Sequence, residues 1–123
     1  MAIADREKEY IAITGDGCML MNGNVMHIAS ELDLPIVFIV FNNQSLGRVR
    51  VGQSIMNDYR GTDIKNVDFI SYANAFGIKA FRCESLGELQ RIFSSCMKNR
   101  KASLIEIITD NNEVPVSVKD YIY

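Results

Sequence analysis

The chain has 123 residues, 48% of them hydrophobic, and a formal net charge of −2. This length predicts one compact domain over residues 1–123. The mildly acidic balance, with basic residues scattered, excludes nucleic acid and anionic membranes as partners. The longest apolar run, 35–41, is too short to span a bilayer.

The first half of the chain alternates apolar runs with a helical pattern. Residues 10–14 predict a short strand that ends at Gly15-Asp16-Gly17, and residues 36–41 predict a second, strongly β-prone strand. Between the two strands we expect one helix that ends before Pro35. Its predicted apolar face consists of Met21, Val25, Ile28, Ala29 and Leu32. Because both strands are apolar throughout, we expect them to be buried on both faces of a parallel sheet.

The second half begins with a stretch, Asn42 to about Val67, that has no clear periodicity, which is typical of a functional loop or of a loop with a short helix. Asp68 is predicted to cap a helix that ends at Gly77. A strand over 78–83 follows, then a helix with a Ser85–Glu88 capping box, then a strand over 104–108. The inner faces of the two helices are predicted to be Phe69, Tyr72, Ala73 and Phe76, and Leu89, Ile92, Phe93, Cys96 and Met97.

From Asn111 onward the sequence predicts a tail with Pro115 and a Tyr121-Ile122-Tyr123 end. The element order predicts an α/β fold, a parallel sheet flanked by helices. Three distant cysteines favour neither a disulfide framework nor a zinc site, and they fit a reducing, cytoplasmic location.

Two predicted strand ends carry polar residues that suit a metal-bound phosphate. Gly15-Asp16-Gly17 follows the first strand, and Asn42-Asn43 follows the second. Ligands of parallel α/β sheets bind beyond the carboxyl ends of the strands. Mg²⁺ prefers hard oxygen ligands, which Asp16 and Asn43 can supply, while the flanking glycines let a phosphate approach the backbone. Each motif alone is usually a turn, and it is their combination that indicates a site.

The stretch from Gly15-Asp16-Gly17 through Asn42-Asn43 resembles the binding motif of the thiamin-diphosphate-dependent enzymes, and the similarity includes Leu34-Pro35 and Leu46-Gly47. The stretches 59–63 and 68–77, with Glu106 in the last strand, are similar to the acetolactate synthase group. The resemblance covers about residues 2–111. It implies a thiamin-diphosphate-binding fold that is incomplete at its N-terminus, the C-terminal domain of a 2-oxo acid decarboxylase or carboligase.

Carried over by residue, the resemblance implies thiamin diphosphate and Mg²⁺ as cofactors. The metal ligands would be the side chains of Asp16 and Asn43 and the carbonyl of Ser45. The residues implied to contact the diphosphate are Gly15, Asp16, Gly17, Cys18, Asn43, Leu46 and Gly47. Cys18 would act through its backbone, and His27, the single histidine, is expected to be a solvated or interface residue.

In this family the glutamate that activates the cofactor comes from a separate pyrimidine-binding domain, and no glutamate of this chain has a matching context. We therefore assign no catalytic residue, and expect a pyrimidine-domain partner in cis or in trans. An uncovered edge or face at the first strand would favour a homo-oligomer. Two alternatives stay open, a non-catalytic module that still binds cofactor and an interaction protein that binds no small molecule.

Overall fold

The computed structural model describes residues 3, 5–65 and 67–111. These described residues form nine elements, in chain order β1 (Tyr10–Gly15), α1 (Asp16–Asn22), α2 (Val25–Glu31), β2 (Ile36–Asn42), α3 (Gly47–Ser54), α4 (Phe69–Asn74), β3 (Lys79–Cys83), α5 (Leu86–Asn99) and β4 (Ser103–Ile108). The predicted α/β fold is confirmed. The predicted tail lies outside the described residues, apart from Asn111.

The described strands form one parallel sheet in the order β1-β2-β4-β3. β4, the last strand in sequence, therefore lies between β2 and β3. All four carboxyl ends lie along the same edge of the sheet, with Gly15 beside Phe41 and Asn42 beside Ile108. This edge carries the two motifs that the sequence singled out.

Helices cover both faces of the sheet. α1, α2 and α4 bury one hydrophobic cluster, which includes Met19, Met26, Phe38, Phe69 and Leu104. α5 packs on the opposite face with the five apolar residues predicted for it. Asp68 caps α4 as predicted, because its carboxylate accepts the Ile70 N–H at 3.1 Å.

The predicted helix between the first two strands is wrong in its continuity and its inner face. The chain forms two short helices, separated at Gly23 and Asn24. Met19, Met26 and Ala29 are buried, while Met21, Val25 and Ile28 are exposed. The buried residues Met19, Gly23, Met26 and Ala29 still recur at a spacing of three or four residues, so the helical period holds across the break and the prediction chose the wrong face.

The prediction that both strands are buried on both faces holds for most of β2 but is wrong for β1. Ile11 and Ile13 are 47% and 68% exposed. Both side chains lie on the side of the sheet where α5 packs. Because α5 packs against β2, β3 and β4, it leaves these two side chains of β1 exposed. The capping box of α5 is also only half confirmed. Ser85 Oγ accepts the Glu88 N–H, but the Glu88 carboxylate accepts from Glu84 rather than Ser85.

Candidate functional site

The predicted ligand residues meet where β1 and β2 end. Asp16 begins α1 directly after β1, and Asn43 and Ser45 lie in the loop directly after β2. The backbone N–H of Ser45 donates to Asp16 Oδ2 at 3.2 Å and to Asn43 Oδ1 at 3.1 Å. One nitrogen therefore holds a carboxylate oxygen and an amide oxygen that are far apart in sequence.

Asp16 is a buried carboxylate without a countercharge among the described residues. Its side chain is almost inaccessible, and the donors that the structure describes for it are backbone N–H groups, from Gly17 at 2.7 Å and from Ser45. Among the described residues, no lysine or arginine forms an ion pair with it. An uncompensated buried charge is unfavourable, so this position favours a bound cation.

Glu106 shows the contrast. It is equally buried, but its carboxylate is paired with Arg82, whose Nε lies 2.7 Å from Oε2. Of these two buried acids, one has a cationic partner in the described part of the chain and the other does not. The difference marks Asp16 as the candidate metal ligand.

The oxygen atoms around Asp16 fit Mg²⁺. The Ser45 hydroxyl is buried and has no hydrogen-bond partner within the residues that the structure describes, although a buried hydroxyl is normally bonded. Carboxylate, amide, carbonyl and hydroxyl oxygens are the hard ligands that Mg²⁺ takes, with water or phosphate in its other positions. In the described part of the chain, no three His, Cys, Asp or Glu side chains cluster as a metal site. The site thus offers one carboxylate with neutral oxygens.

The glycines around Asp16 allow close approach of the backbone. A Cβ on Gly17 would lie 2.5 Å from Leu46 Cδ2, so the loop after β2 closes directly over Gly17. A Cβ on Gly47 would lie 3.3 Å from Asn43 Nδ2. Gly15 faces open space, and Cys18 is exposed. Of the residues predicted to surround the diphosphate, Gly17 is therefore covered by Leu46, while Gly15 and Cys18 border open space.

A segment that sequence reasoning missed holds this loop in place. The Leu46 N–H donates to the Thr62 carbonyl at 2.7 Å, and the Ile64 N–H donates to the Gln44 carbonyl at 2.8 Å. Ser45 forms an antiparallel bridge with Asp63 between these bonds. Residues 62–64 thus act as a short strand against the loop. Because this pairing is so short, it leaves no periodic pattern in the sequence from which it could be predicted.

Asn42 and Arg82 both donate to the buried carboxylate of Glu106. Asn42 Nδ2 donates to Glu106 Oε1 at 2.6 Å, while Arg82 bonds the other carboxylate oxygen. The sequence analysis named Asn42 in its motif and Glu106 through the family resemblance, but it did not predict that they bond to each other or that Arg82 pairs with Glu106. His27 is exposed, which fits the expected solvated or interface residue.

None of the helices in the described residues has the length and hydropathy needed to cross a membrane. The family model described as "Thiamine pyrophosphate enzyme, C-terminal TPP binding domain" matches residues 1–107. A probable acetolactate synthase large subunit from Methanocaldococcus jannaschii is 32% identical over 114 residues, 90% of this chain and 19% of that protein. A benzoylformate decarboxylase from Pseudomonas aeruginosa is 26% identical over 113 residues, 90% of this chain and 21% of that protein.

Among solved structures, a benzoylformate decarboxylase from Polynucleobacter necessarius superposes with a TM-score of 0.85 at 18% identity, over 93% of this chain and 22% of that one. This likeness shows a shared fold. The chain spans about a fifth of the length of the acetolactate synthases that it matches.

Proposed function

Since the chain belongs to the family of C-terminal TPP-binding domains of thiamine pyrophosphate enzymes, we propose that it binds the diphosphate of thiamin diphosphate through Mg²⁺. The observation that carries this proposal is the buried, uncompensated carboxylate of Asp16, placed with Asn43 Oδ1 on a single N–H. A divalent cation would neutralise this carboxylate and attract a diphosphate to the same edge of the sheet.

In this proposal the Asp16 carboxylate, the Asn43 amide oxygen and the Ser45 carbonyl would ligate Mg²⁺. The Ser45 hydroxyl lies unpaired beside them. The diphosphate would meet the backbone at Gly15, Gly17 and Cys18 on one side and at Leu46 and Gly47 on the other. When bound, thiamin diphosphate supplies an electron sink for cleaving the bond next to a 2-oxo acid carbonyl. This chain's residues bind and orient the diphosphate end.

We further propose that residues 1–123 form one domain of an acetolactate synthase-like 2-oxo acid decarboxylase or carboligase. The relatives named acetolactate synthase and benzoylformate decarboxylase support this class. The domain would need a pyrimidine-binding domain, in cis or in trans, to turn over substrate. We expect no decarboxylation of pyruvate by the chain alone. Measurable turnover by the purified chain would contradict this requirement.

The exposed face of β1 supports a partner. Ile11, Ile13 and Phe41 are 44–68% exposed, and they point to the same side of the sheet because Gly15 and Phe41 are in register. β1 is also an edge strand without charged residues or proline, the features that normally prevent edge pairing. We propose a homo-oligomer or a partner domain on this face, and a cytoplasmic location, which the three free thiols fit.

Light scattering after size-exclusion chromatography would test self-association. We expect Ile13→Ser to lower the mass of the assembly, while Leu86→Ser, at a 70% exposed position on α5, leaves it unchanged. A strictly monomeric parent chain at all concentrations would contradict the homo-oligomer.

Calorimetric titration of the chain with thiamin diphosphate would test the binding proposal. We expect binding with Mg²⁺ and its loss in EDTA. Inorganic pyrophosphate should compete, and thiamin without phosphate should not bind, because the proposed contacts involve the diphosphate only. Equal binding in EDTA would contradict the Mg²⁺ role, and no binding in either condition would contradict the proposed function.

A further inference from the structure

Glu106 is the most completely buried acidic residue in the described chain, and it touches none of the proposed ligands. Its side chain is 0% exposed, in the middle of the sheet on β4. One oxygen accepts from Asn42 Nδ2 at 2.6 Å and the other from Arg82 Nε at 2.7 Å. Arg82 also lies 3.6 Å from Asp68, the cap of α4. Glu106 thus joins β2, β3 and the start of α4.

The bond to Glu106 fixes the orientation of the Asn42 amide. With Nδ2 directed at the carboxylate, Oδ1 points the other way and accepts the Gln44 N–H at 3.0 Å. In the flipped orientation, Nδ2 would face the Gln44 N–H and two donors would meet. An acidic acceptor beneath Asn42 therefore selects the amide orientation that supports the loop.

The loop needs this support because it contains an unfavourable backbone conformation. Gln44 has φ of 57°, a left-handed conformation that non-glycine residues rarely adopt. The next N–H after Gln44 is that of Ser45, which holds Asp16 and Asn43 together. The Asn42 side chain therefore affects the backbone at Gln44 and Ser45. Through the Ser45 N–H it also affects Asp16 and Asn43, the proposed metal ligands.

We propose that Glu106 is a positioning residue for the loop that binds Mg²⁺ and diphosphate, acting through Asn42 and Gln44. This role rests on the proposed function for its ligand, but its effect on the loop exists without ligand. Glu106 sets the direction of Asn43 Oδ1 and of Ser45, and Arg82 holds the Glu106 carboxylate in place.

The test compares Glu106→Ala with Glu106→Gln in the full chain. Glutamine keeps a carbonyl oxygen for Asn42, and Arg82, which is about half exposed, can turn to solvent. We expect Glu106→Ala to lower the affinity for Mg²⁺–thiamin diphosphate about 10–100-fold, as loss of an outer-shell partner typically does. Glu106→Gln should retain most of the affinity.

Two further readouts separate positioning from general destabilisation. Mg²⁺ demands near-ideal geometry and Ca²⁺ does not, so Glu106→Ala should lose more affinity with Mg²⁺ than with Ca²⁺. In the ligand-free chain, it should also speed hydrogen exchange of the Gln44 and Ser45 amides. Gly23→Ala is the control for general destabilisation. Its Cβ would lie 2.5 Å from the Tyr72 hydroxyl, so the substitution disturbs the hydrophobic cluster of α1, α2 and α4.

Equal loss of Mg²⁺ and Ca²⁺ binding, or equal effects of Glu106→Ala and Glu106→Gln, would overturn the positioning role. Unchanged exchange of the Gln44 and Ser45 amides in Glu106→Ala would overturn it even without ligand. Failure of the parent chain to bind would instead overturn the proposed function and the loop's role as a ligand site.

Discussion

Replacing Asp16 by alanine should weaken ligand binding strongly while changing the stability of the fold only a little. In the ligand-free chain the carboxylate accepts two backbone N–H bonds, each worth about 1.5–3 kcal/mol when the acceptor is charged. Ser45 keeps its bond to Asn43. The lost bonds are offset because burial of the unpaired carboxylate itself costs several kcal/mol. We therefore expect the free energy of unfolding, measured by urea denaturation, to change by at most about 2 kcal/mol.

Binding should respond far more strongly, because the substitution removes the only proposed carboxylate ligand. Loss of an outer-shell partner alone typically costs 10–100-fold, so we expect Asp16→Ala to weaken Mg²⁺-dependent binding by more than about 100-fold in calorimetric titration. Asp58→Ala is the matched control, since Asp58 is exposed and pairs with Arg60. If Asp16→Ala does not fold, Asp16→Asn keeps the side-chain shape and removes the charge. Mg²⁺-dependent binding as tight as in the parent would refute the site.

Three further predictions follow from single contacts. Gly17→Ala should weaken binding with little loss of stability, since its Cβ would lie 2.5 Å from the flexible end of Leu46; added Leu46→Ala should recover part of the affinity in the same titration. Iodoacetamide should label the exposed Cys18, and less so with Mg²⁺–thiamin diphosphate bound. Burial raises the pKa of the Cys83 thiol, so mass spectrometry should find it unlabelled, and equal labelling would contradict this. Hydrogen bonds from Ser71, chiefly from its side chain, lower the pKa of Asp68, so stability should be full above the ordinary aspartate pKa and fall as pH drops through the lowered value. An Asp68→Asn variant with the same acid unfolding profile would contradict that assignment.

Sequence patterns predicted correctly the features that neighbouring residues determine. The start of α4 at Asp68 and the inner face of α5 were both confirmed, because capping and helical period are properties of neighbouring residues. Asp16 and Asn43 could be placed together because parallel strands bring their carboxyl ends to one edge. Their roles as metal ligands stay predictions.

Other features of the fold and of the site could not be predicted. Asn42 and Glu106 are separated by 64 residues, and no local pattern indicates that they share a hydrogen bond. The exposed side chains of Ile11 and Ile13 depend on where α5 packs, which the composition of β1 does not reveal. The break at Gly23 was missed because the apolar residues on either side imitate one continuous period.

The position of β4 has a consequence for how the chain folds. Of the four strands that the structure describes, β4 is synthesised last, yet it lies inside the sheet, and β3 joins the other described strands only through it. A nascent chain that ends before Ser103 could pair β1 with β2, but it would leave β3 and α5 without the strand they pack against. Glu106 belongs to β4 and is therefore synthesised with it. The polar end of the sheet is therefore set only after β4 has been synthesised, and late, non-local pairing of this kind slows folding.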